Sequence, residues 1–469
     1  MATITMKFGG TSVGSPEAIQ NVVSIVADAV GRGDNIVVVV SAMSGVTDIL
    51  LGCVKEAAAG NKWAYLSAAQ KLRDRHEETV NMFTAPGVDR ENTLHEIDGI
   101  LKQHSELCQA VNILGEATPR ITDAIVSAGE RMSARMVAAA LRNQGVEARA
   151  YDASKMVLTD DRFTSATVKW DETEANIRRT LLPAIEKGIV PVITGFIGAT
   201  PDGHVTTLGR GGGDYSATLI GAALGADEIC IWTDVDGILT ADPKIVPEAR
   251  TLAELSYAEA ADIATFGPEI LHPRTLTPLI EQSIPLSIRN VLRPQHPGTR
   301  VLPSSQPSAR AAHTIISARG LSLLGVAAQP GTTSTWSPEL AARALAHLSS
   351  SGVEVLNFAQ SFSERSLIVT VRTVDAAFAR DCLVAAFSSE QNAAMLRDIS
   401  FTLPIGLVAV ISAARNSGLA PQTLATLGRV GAHVLALAQG ATSAHLSFVL
   451  PEPEIDAVVR ALHHDLKLA

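Results

Sequence analysis

Apolar residues along the chain fall in short continuous runs, and each run is followed at once by small and polar residues. TITMKF leads into GGTS, IVVVVSA into MSGVTD, VPVITGF into IGAT, EICIWTDV into DGILTADP, and LSIRN into VLRP. An unbroken run such as IVVVV suits a strand covered on both faces, as in a parallel sheet flanked by helices. TITMKF is patterned differently: Ile4, Met6 and Phe8 alternate with Thr3, Thr5 and Lys7, which sends Lys7 to the face opposite the apolar three. Helical segments are expected between the strands. Ser15 followed by Pro16 marks a helix start, with a capping hydroxyl and a proline in the first turn, and that helix runs to Gly31. ITDAIVSAGERMSARMVAAALRNQG reads as a second long helical stretch ending on Gly145. Ligands of such sheets bind at the carboxyl ends of the strands, where the Gly, Ser, Thr and Asp residues collect here. Residues 1–293 are therefore expected to form one α/β domain with its site along one edge.

Residues 294–313, rich in Pro, Ser and Gln and poor in periodicity, read as a connector. Beyond them short strands alternate with short helices, and an internal echo appears. GVEVLNFAQSFSERSL, from Gly352, aligns without gaps with GAHVLALAQGATSAHL, from Gly431. The shared Ala-Gln after an apolar strand points to a duplicated small α+β module, over 314–390 and 391–469. Gln360 and Gln439 then hold equivalent places.

Composition narrows the class. At 469 residues the chain exceeds what one hydrophobic core usually serves. Its formal net charge of -10 comes from interspersed acids and bases, without a basic arm or polybasic block, which argues against nucleic acid or anionic membrane as partners. MATITMKFGG has no apolar core long enough for a signal peptide and no run is long enough to span a bilayer, so a cytoplasmic protein is expected. Cys53, Cys108, Cys230 and Cys382 are far apart, without a CxxC pair, and read as reduced structural thiols.

Three segments carry candidate chemistry. In KFGGTS the Gly9-Gly10 turn lets backbone N–H groups approach an anion and Lys7 adds a point charge, although a GG turn after a strand also occurs for structural reasons alone. In TTLGRGGGDYSATL, Arg210 can grip a carboxylate or phosphate through two parallel hydrogen bonds. Gly211, Gly212 and Gly213 expose backbone donors, a helix beginning near Asp214 aims its positive end at the same place, and a buried Asp214 would pair with the cations. The third segment, TDVDGILTADPK, ends a strand with paired carboxylates followed by Lys244, which suits a nucleotide. No GxxxxGK[ST] occurs, the glycines around Arg210 miss the GxGxxG spacing, and HRD and DFG are absent; these exclude a P-loop enzyme, a dinucleotide fold and a protein kinase.

With these residues assembled, the chain resembles aspartate kinase of the amino acid kinase superfamily. KFGGTSVG, SAMSGVTD, SAGERMS, TTLGRGGGDYSA, TDVDGILTADP and FGPEILHPRT fall in that family's order across residues 7 to 275, and the tail resembles its paired ACT domains. The resemblance implies an αβα sandwich with a mostly parallel sheet, followed by two ferredoxin-like α+β ACT domains. It implies transfer of the ATP γ-phosphoryl group, with Mg²⁺, to the side chain of L-aspartate, the first step of lysine, threonine, methionine and isoleucine biosynthesis. Lys7, Phe8, Gly9 and Gly10 would approach the ATP phosphates, and Thr233, Asp234, Leu239, Asp242 and Lys244 would line the nucleotide site. Ser41 and Thr47 would lie near the substrate with Gly211 to Gly213. Glu130 would face the amino group, Arg210 would clamp the α-carboxylate, and Asp214 would organise the catalytic lysine. By residue type and setting alone, Glu130 reads as one more solvated acid on a helix.

Two positions depart from the family pattern: Gly213 stands where Ser is common, and Glu269 where most members carry Lys. His272 reads as a capping or structural histidine. In the tail, Asn357, Gln360 and Gln439 are the expected effector contacts, with threonine favoured over lysine because an amide offers both donor and acceptor to a hydroxyl-bearing zwitterion. A homodimer or higher homo-oligomer through the ACT domains is implied. Two other readings stay open here: a catalytically weakened amino-acid-binding regulator, and a superfamily kinase acting on glutamate, acetylglutamate or carbamate. Threonine-sensitive members are often fused to homoserine dehydrogenase, so a kinase portion of a larger polypeptide is also compatible.

Overall fold

The computed structural model describes residues 1–267, 271–304, 314–329, 338–392, 395–412, 419–440 and 445–468. Glu269, one of the two departures noted above, lies outside the described residues. The chain divides into two compact units. The first holds the described residues of Met1–Ile238, Ala253–Tyr257 and Leu271–Ser305, the second those of Leu239–Leu252, Ala258–Ile270 and Gln306–Ala469.

The first unit begins with β1 (Thr3–Phe8), α1 (Pro16–Gly31), β2 (Asn35–Val40) and a helical layer of α2 (Val46–Ala58), α3 (Lys62–Phe83), α4 (Val88–Leu114), α5 (Pro119–Val126) and α6 (Ala128–Asn143). There follow β3 (Ala148–Tyr151), α7 (Trp170–Ile185), β4 (Val190–Thr194), the hairpin β5 (Ile197–Ala199) and β6 (Val205–Thr207), α8 (Gly212–Leu224), β7 (Glu228–Thr233) and β8 (Glu254–Ser256). After α9 (Tyr257–Phe266), which belongs to the second unit from Ala258 on, the first unit resumes with α10 (Pro273–Gln282), β9 (Leu286–Asn290) and β10 (Thr299–Leu302). Eight strands form one sheet in the order β3-β4-β2-β1-β7-β9-β10-β8, parallel throughout except where β10 meets β9.

The IVVVV run is covered on both faces, as its pattern demands. Ile36, Val38 and Val40 enter a core with Met6, Phe8 and the buried faces of α1 to α6, while Val37 and Val39 enter a second core with Ile220 and Ala223 of α8 and Ile177 of α7. Each such fully buried Val or Ile contributes roughly 1.5–3 kcal/mol. Lys7 follows the strand alternation onto the α8 face. Ser15 caps α1, its hydroxyl accepting from the Ala18 N–H at 3.2 Å, with Pro16 as the first helical residue. The expected helix 121–145 is two helices, because the chain turns at Ser127 between α5 and α6.

In the second unit, β11 (Thr314–Ala327), α11 (Pro338–Ser350), β12 (Asn357–Ser361), β13 (Ser366–Arg372), α12 (Ala376–Ala386), α13 (Ser388–Asn392), β14 (Ser400–Ile411), α14 (Leu419–Val430), β15 (Ala436–Gln439), β16 (His445–Pro451) and α15 (Ile455–Asp465) build a six-stranded antiparallel sheet, order β12-β13-β11-β14-β16-β15. The internal echo is a structural repeat: β12–β13 and β15–β16 are like hairpins, with Gln360 opposite Leu367 and Gln439 opposite Leu446.

Three expected boundaries differ from the observed ones. The stretch Leu239–Leu252 belongs to the second unit, since Ala241, Ile245 and Val246 join a core with Ile315, Phe448 and Leu462. The expected connector contains β10, whose Val301 is fully buried. The two repeats are not consecutive independent modules, because β11 and β14 are long strands paired with each other and each also carries one of the hairpins.

Candidate active site

Within the first unit, a cavity of about 710 Å³ opens at the carboxyl ends of β1 and β2. Lys7, the penultimate residue of β1, reaches it from the α8 face, and its Nζ lies 2.6 Å from Oδ1 of Asp214 in the first turn of α8. Both side chains are largely buried, at 12% and 17% exposure, so this charge pair is weakly screened and fixed in direction. Gly211 precedes α8 with φ 70°, a left-handed conformation that glycine adopts without penalty. The helix therefore starts abruptly and points its free N–H groups at the cavity.

Glu130, in the first turn of α6, lines the same cavity. It is 3% exposed rather than solvated, which overturns the reading from residue type alone. One carboxylate oxygen accepts from the Ala42 N–H at 3.3 Å, and the other has no hydrogen-bond partner among the described residues. Burial pushes its pKa up to about 7, against the weaker pull of the backbone donors of Glu130 and Ala42. Such a group is completed by a cationic donor, and an ammonium is the smallest that fits the chemistry.

Ser41, Thr47, Gly10 and Gly211 to Gly213 line the same cavity, and Arg210 stands exposed at its rim without an ion-pair partner among the described residues. A Cβ built at Gly213 would sit 3.0 Å from Ser41 Oγ and 3.4 Å from Lys7 Cε. The Phe8 side chain is fully buried in the core and stacked on Trp232 at 6.1 Å, so only its backbone reaches the strand end, where its carbonyl accepts from Ser41 N–H at 3.1 Å. Gly9 turns the chain, its carbonyl accepting from Ser12 and Val13. Thr233 and Asp234 cap the end of β7, neighbour to β1, with Thr233 Oγ1 3.3 Å from Asp234 Oδ1. Neither lines the cavity. Leu239, Asp242 and Lys244 fall in the second unit, where Asp242 Oδ1 accepts from the Lys244 N–H at 2.9 Å. His272 caps α10, with Nδ1 accepting from Arg274 N–H at 3.2 Å.

Sequence reasoning missed Asp123. It is 1% exposed and lines the cavity. Oδ2 accepts from the N–H groups of Thr164 at 2.8 Å and Thr207 at 2.9 Å, and Oδ1 from the Thr207 hydroxyl at 2.8 Å. Burial raises its pKa while those three donors oppose the rise. Asp123 thereby anchors the strand that leads into Gly209 and Arg210. Its only sequence signal is its place one helical turn before the SAGERMS motif.

In the second unit, Asn357 is buried with Nδ2 donating to Ser447 Oγ at 3.2 Å and Oδ1 unpartnered among the described residues. Gln360 is half-buried with Nε2 likewise unpartnered, whereas its equivalent Gln439 is exposed. Among the described residues, no three His, Cys, Asp or Glu side chains converge as a metal cage, and no helix is long and apolar enough to cross a membrane.

The sequence profile of the amino acid kinase family matches residues 2–290. Lysine-sensitive aspartokinase 3 of Escherichia coli is 31% identical over 473 residues, covering 99% of this chain and 99% of that protein. The crystal structure of E. coli aspartokinase III with aspartate and ADP, an R-state, superposes with a TM-score of 0.83 at 29% identity over 99% of this chain and 100% of the other. Bifunctional aspartokinase/homoserine dehydrogenase 2 of Arabidopsis thaliana is 29% identical over 461 residues, which are 97% of this chain but 50% of that protein. The chain thus spans about half the length of the bifunctional relatives it matches. It belongs to the amino acid kinase family, and within that family to the aspartokinases.

Proposed function

We propose that the protein transfers the γ-phosphoryl group of ATP to the side-chain carboxylate of L-aspartate, giving 4-phospho-L-aspartate and opening lysine, threonine, methionine and isoleucine biosynthesis. The observation that carries this reading is the buried Glu130 carboxylate with one unmet oxygen, in the same cavity as the Lys7–Asp214 pair. An amino acid completes it: the ammonium meets Glu130, the α-carboxylate meets Arg210 at the rim, and the side chain lies toward Ser41, Thr47 and Lys7.

The chemistry needs no general base. A free carboxylate with a pKa of about 4 is ionised at neutral pH and is already a nucleophile. What the protein must supply is alignment and neutralisation, because two anions have to meet in line. Two unit charges 4 Å apart in an environment of intermediate dielectric repel by roughly 4 kcal/mol. Lys7, held in direction by Asp214, and the N-terminus of α8 offset that repulsion, while Gly9 and Gly10 admit the phosphates. Thr233 and Asp234, at the end of the neighbouring strand β7, would serve the ribose side. The donors at this cavity suit Mg²⁺ that arrives bound to ATP oxygens rather than a resident ion, and it would neutralise phosphate charge there.

Asn357 and Gln360 support binding of an amino-acid effector in the second unit. Threonine is favoured over lysine because the unmet groups are neutral amides. Phe358 and Leu437, exposed on the outermost strands β12 and β15, support a homo-oligomer formed through this unit.

The test is ATP-dependent acyl hydroxamate formation with aspartate, and in parallel with glutamate, acetylglutamate and carbamate. Product from aspartate alone is expected. No product from aspartate, or faster turnover of another acid, overturns the reading. Calorimetric titration with threonine and lysine then decides the effector.

A further inference from the structure

We propose that Arg75 is a positioning residue for phosphoryl transfer, its guanidinium fastening the loop after β1 to the loop after β2. Arg75 projects from α3, outside the cavity. One terminal nitrogen donates to the Gly14 carbonyl at 2.8 Å and the other to the Ser44 carbonyl at 2.9 Å. Between the same loops, the Ser44 N–H donates to the Gly10 carbonyl at 3.1 Å.

The two loops meet backbone to backbone. A Cβ built at Gly10 would lie 3.0 Å from the Ala42 carbonyl oxygen, and one at Gly14 would lie 3.2 Å from Ser44 Cβ. Among the described residues, the hydrogen bonds that join the two loops are this one backbone bond between Ser44 and Gly10 and the pair from Arg75. Each loop serves a different reactant in the reading above, on which this inference rests. The first carries Gly10 beside Lys7; the second carries Ser41 and Ala42, whose N–H holds Glu130. In-line transfer needs the reacting atoms within about 3–3.5 Å, so the separation of the loops is the separation of the reactants. A planar fork can hold two carbonyls at a fixed spacing, which an ammonium on a flexible stem cannot.

The experiment compares the parent chain with Arg75→Ala and Arg75→Lys by amide hydrogen exchange and steady-state kinetics. Exchange in residues 9–14 and 42–46 is expected to quicken together by about tenfold in Arg75→Ala, with the rest of α3 unchanged. Its kcat should fall by about a hundredfold while KM for ATP and aspartate shifts by less than about threefold. Methylguanidinium should restore both protection and kcat, and Arg75→Lys should recover only a small part. Parental exchange in either loop overturns the proposal, and so does a raised KM with kcat intact. If the parent itself makes no acyl phosphate, the kinase reading fails, and the exchange of the two loops still decides whether Arg75 joins them.

Discussion

Both compact units bury polar atoms that have no partner among the described residues, and at the two candidate ligand sites those atoms differ in chemistry. At the candidate active site of the first it is an oxygen of the Glu130 carboxylate; at the candidate effector site of the second they are Oδ1 of Asn357 and Nε2 of Gln360. A buried carboxylate with an open valence carries a cost that depends on pH, because protonation relieves it. A buried amide carries a cost that does not. The contrast suits the proposed ligands. A reacting amino acid must be held by charge in a set orientation, whereas an effector needs only to be preferred in one state over another.

The sharpest way to break this contrast is Glu130→Gln. The folded-state pKa of Glu130, about 7, lies above its ordinary value of 4.5, so the folded protein binds the extra proton between those values. Stability from this group is therefore full below pH 4.5 and is lost as pH rises to 7, a loss on the order of 3 kcal/mol. A neutral isostere avoids that loss. Without ligand, Glu130→Gln should melt at a higher temperature than the parent above pH 7, and the difference should vanish toward pH 4.5. The same change should raise KM for aspartate by about a hundredfold, since a charged hydrogen-bond partner is removed from the ammonium. Aspartate affinity in the parent should also weaken as pH falls below 7, where Glu130 takes up its proton. Equal melting temperatures across this range would show that Glu130 is not a buried charge.

Sequence pattern revealed the parts of this site that depend on local structure. Alternation placed Lys7 opposite Phe8, the glycines marked the start of α8, and Ser15–Pro16 marked α1. Environments created by distant neighbours stayed hidden. Glu130 is buried by a loop 88 residues away and Asp123 is held by Thr207 at a separation of 84, so neither could be told from a surface acid. The packing of the Phe8 side chain was hidden for the same reason, because its neighbour Trp232 comes from β7. Gln360 and Gln439 are equivalent by repeat and strand register, yet one is half-buried and the other exposed. The helical layer α2 to α4 carries few motifs, and its importance rests on what it packs against, as at Arg75.

A second, smaller effect tests how tightly the charged site is built. Family likeness treats Gly213 as a missing hydroxyl and leads one to expect that Gly213→Ser improves the enzyme. The geometry predicts the reverse. Cβ contacts as short as the 3.0 Å to Ser41 Oγ force the neighbour to move, and the Lys7 stem at 3.4 Å leaves little room on the other side. Both Gly213→Ser and Gly213→Ala should lower kcat by about tenfold, or ~1.4 kcal/mol in the barrier. Activity at or above the parental level in both variants would mean that the site has slack.

The smallest effect is expected at Asn357, and it sharpens the contrast by its indifference to pH. Asn357→Leu keeps the volume, removes the unmet Oδ1, and gives up one hydrogen bond to Ser447, whose hydroxyl keeps the Ala438 carbonyl at 3.4 Å. Losing a bond worth about 1 kcal/mol while removing an unpaired buried acceptor of similar cost should leave stability within about 1 kcal/mol of the parent. Any difference should be flat across the range in which Glu130→Gln changes, because no proton is involved. Basal turnover should be unaltered, and inhibition by the effector should be lost. A large fall in melting temperature would instead make Asn357 a structural tie between β12 and β16, and the unmet oxygen would then lose its meaning as a place for a ligand.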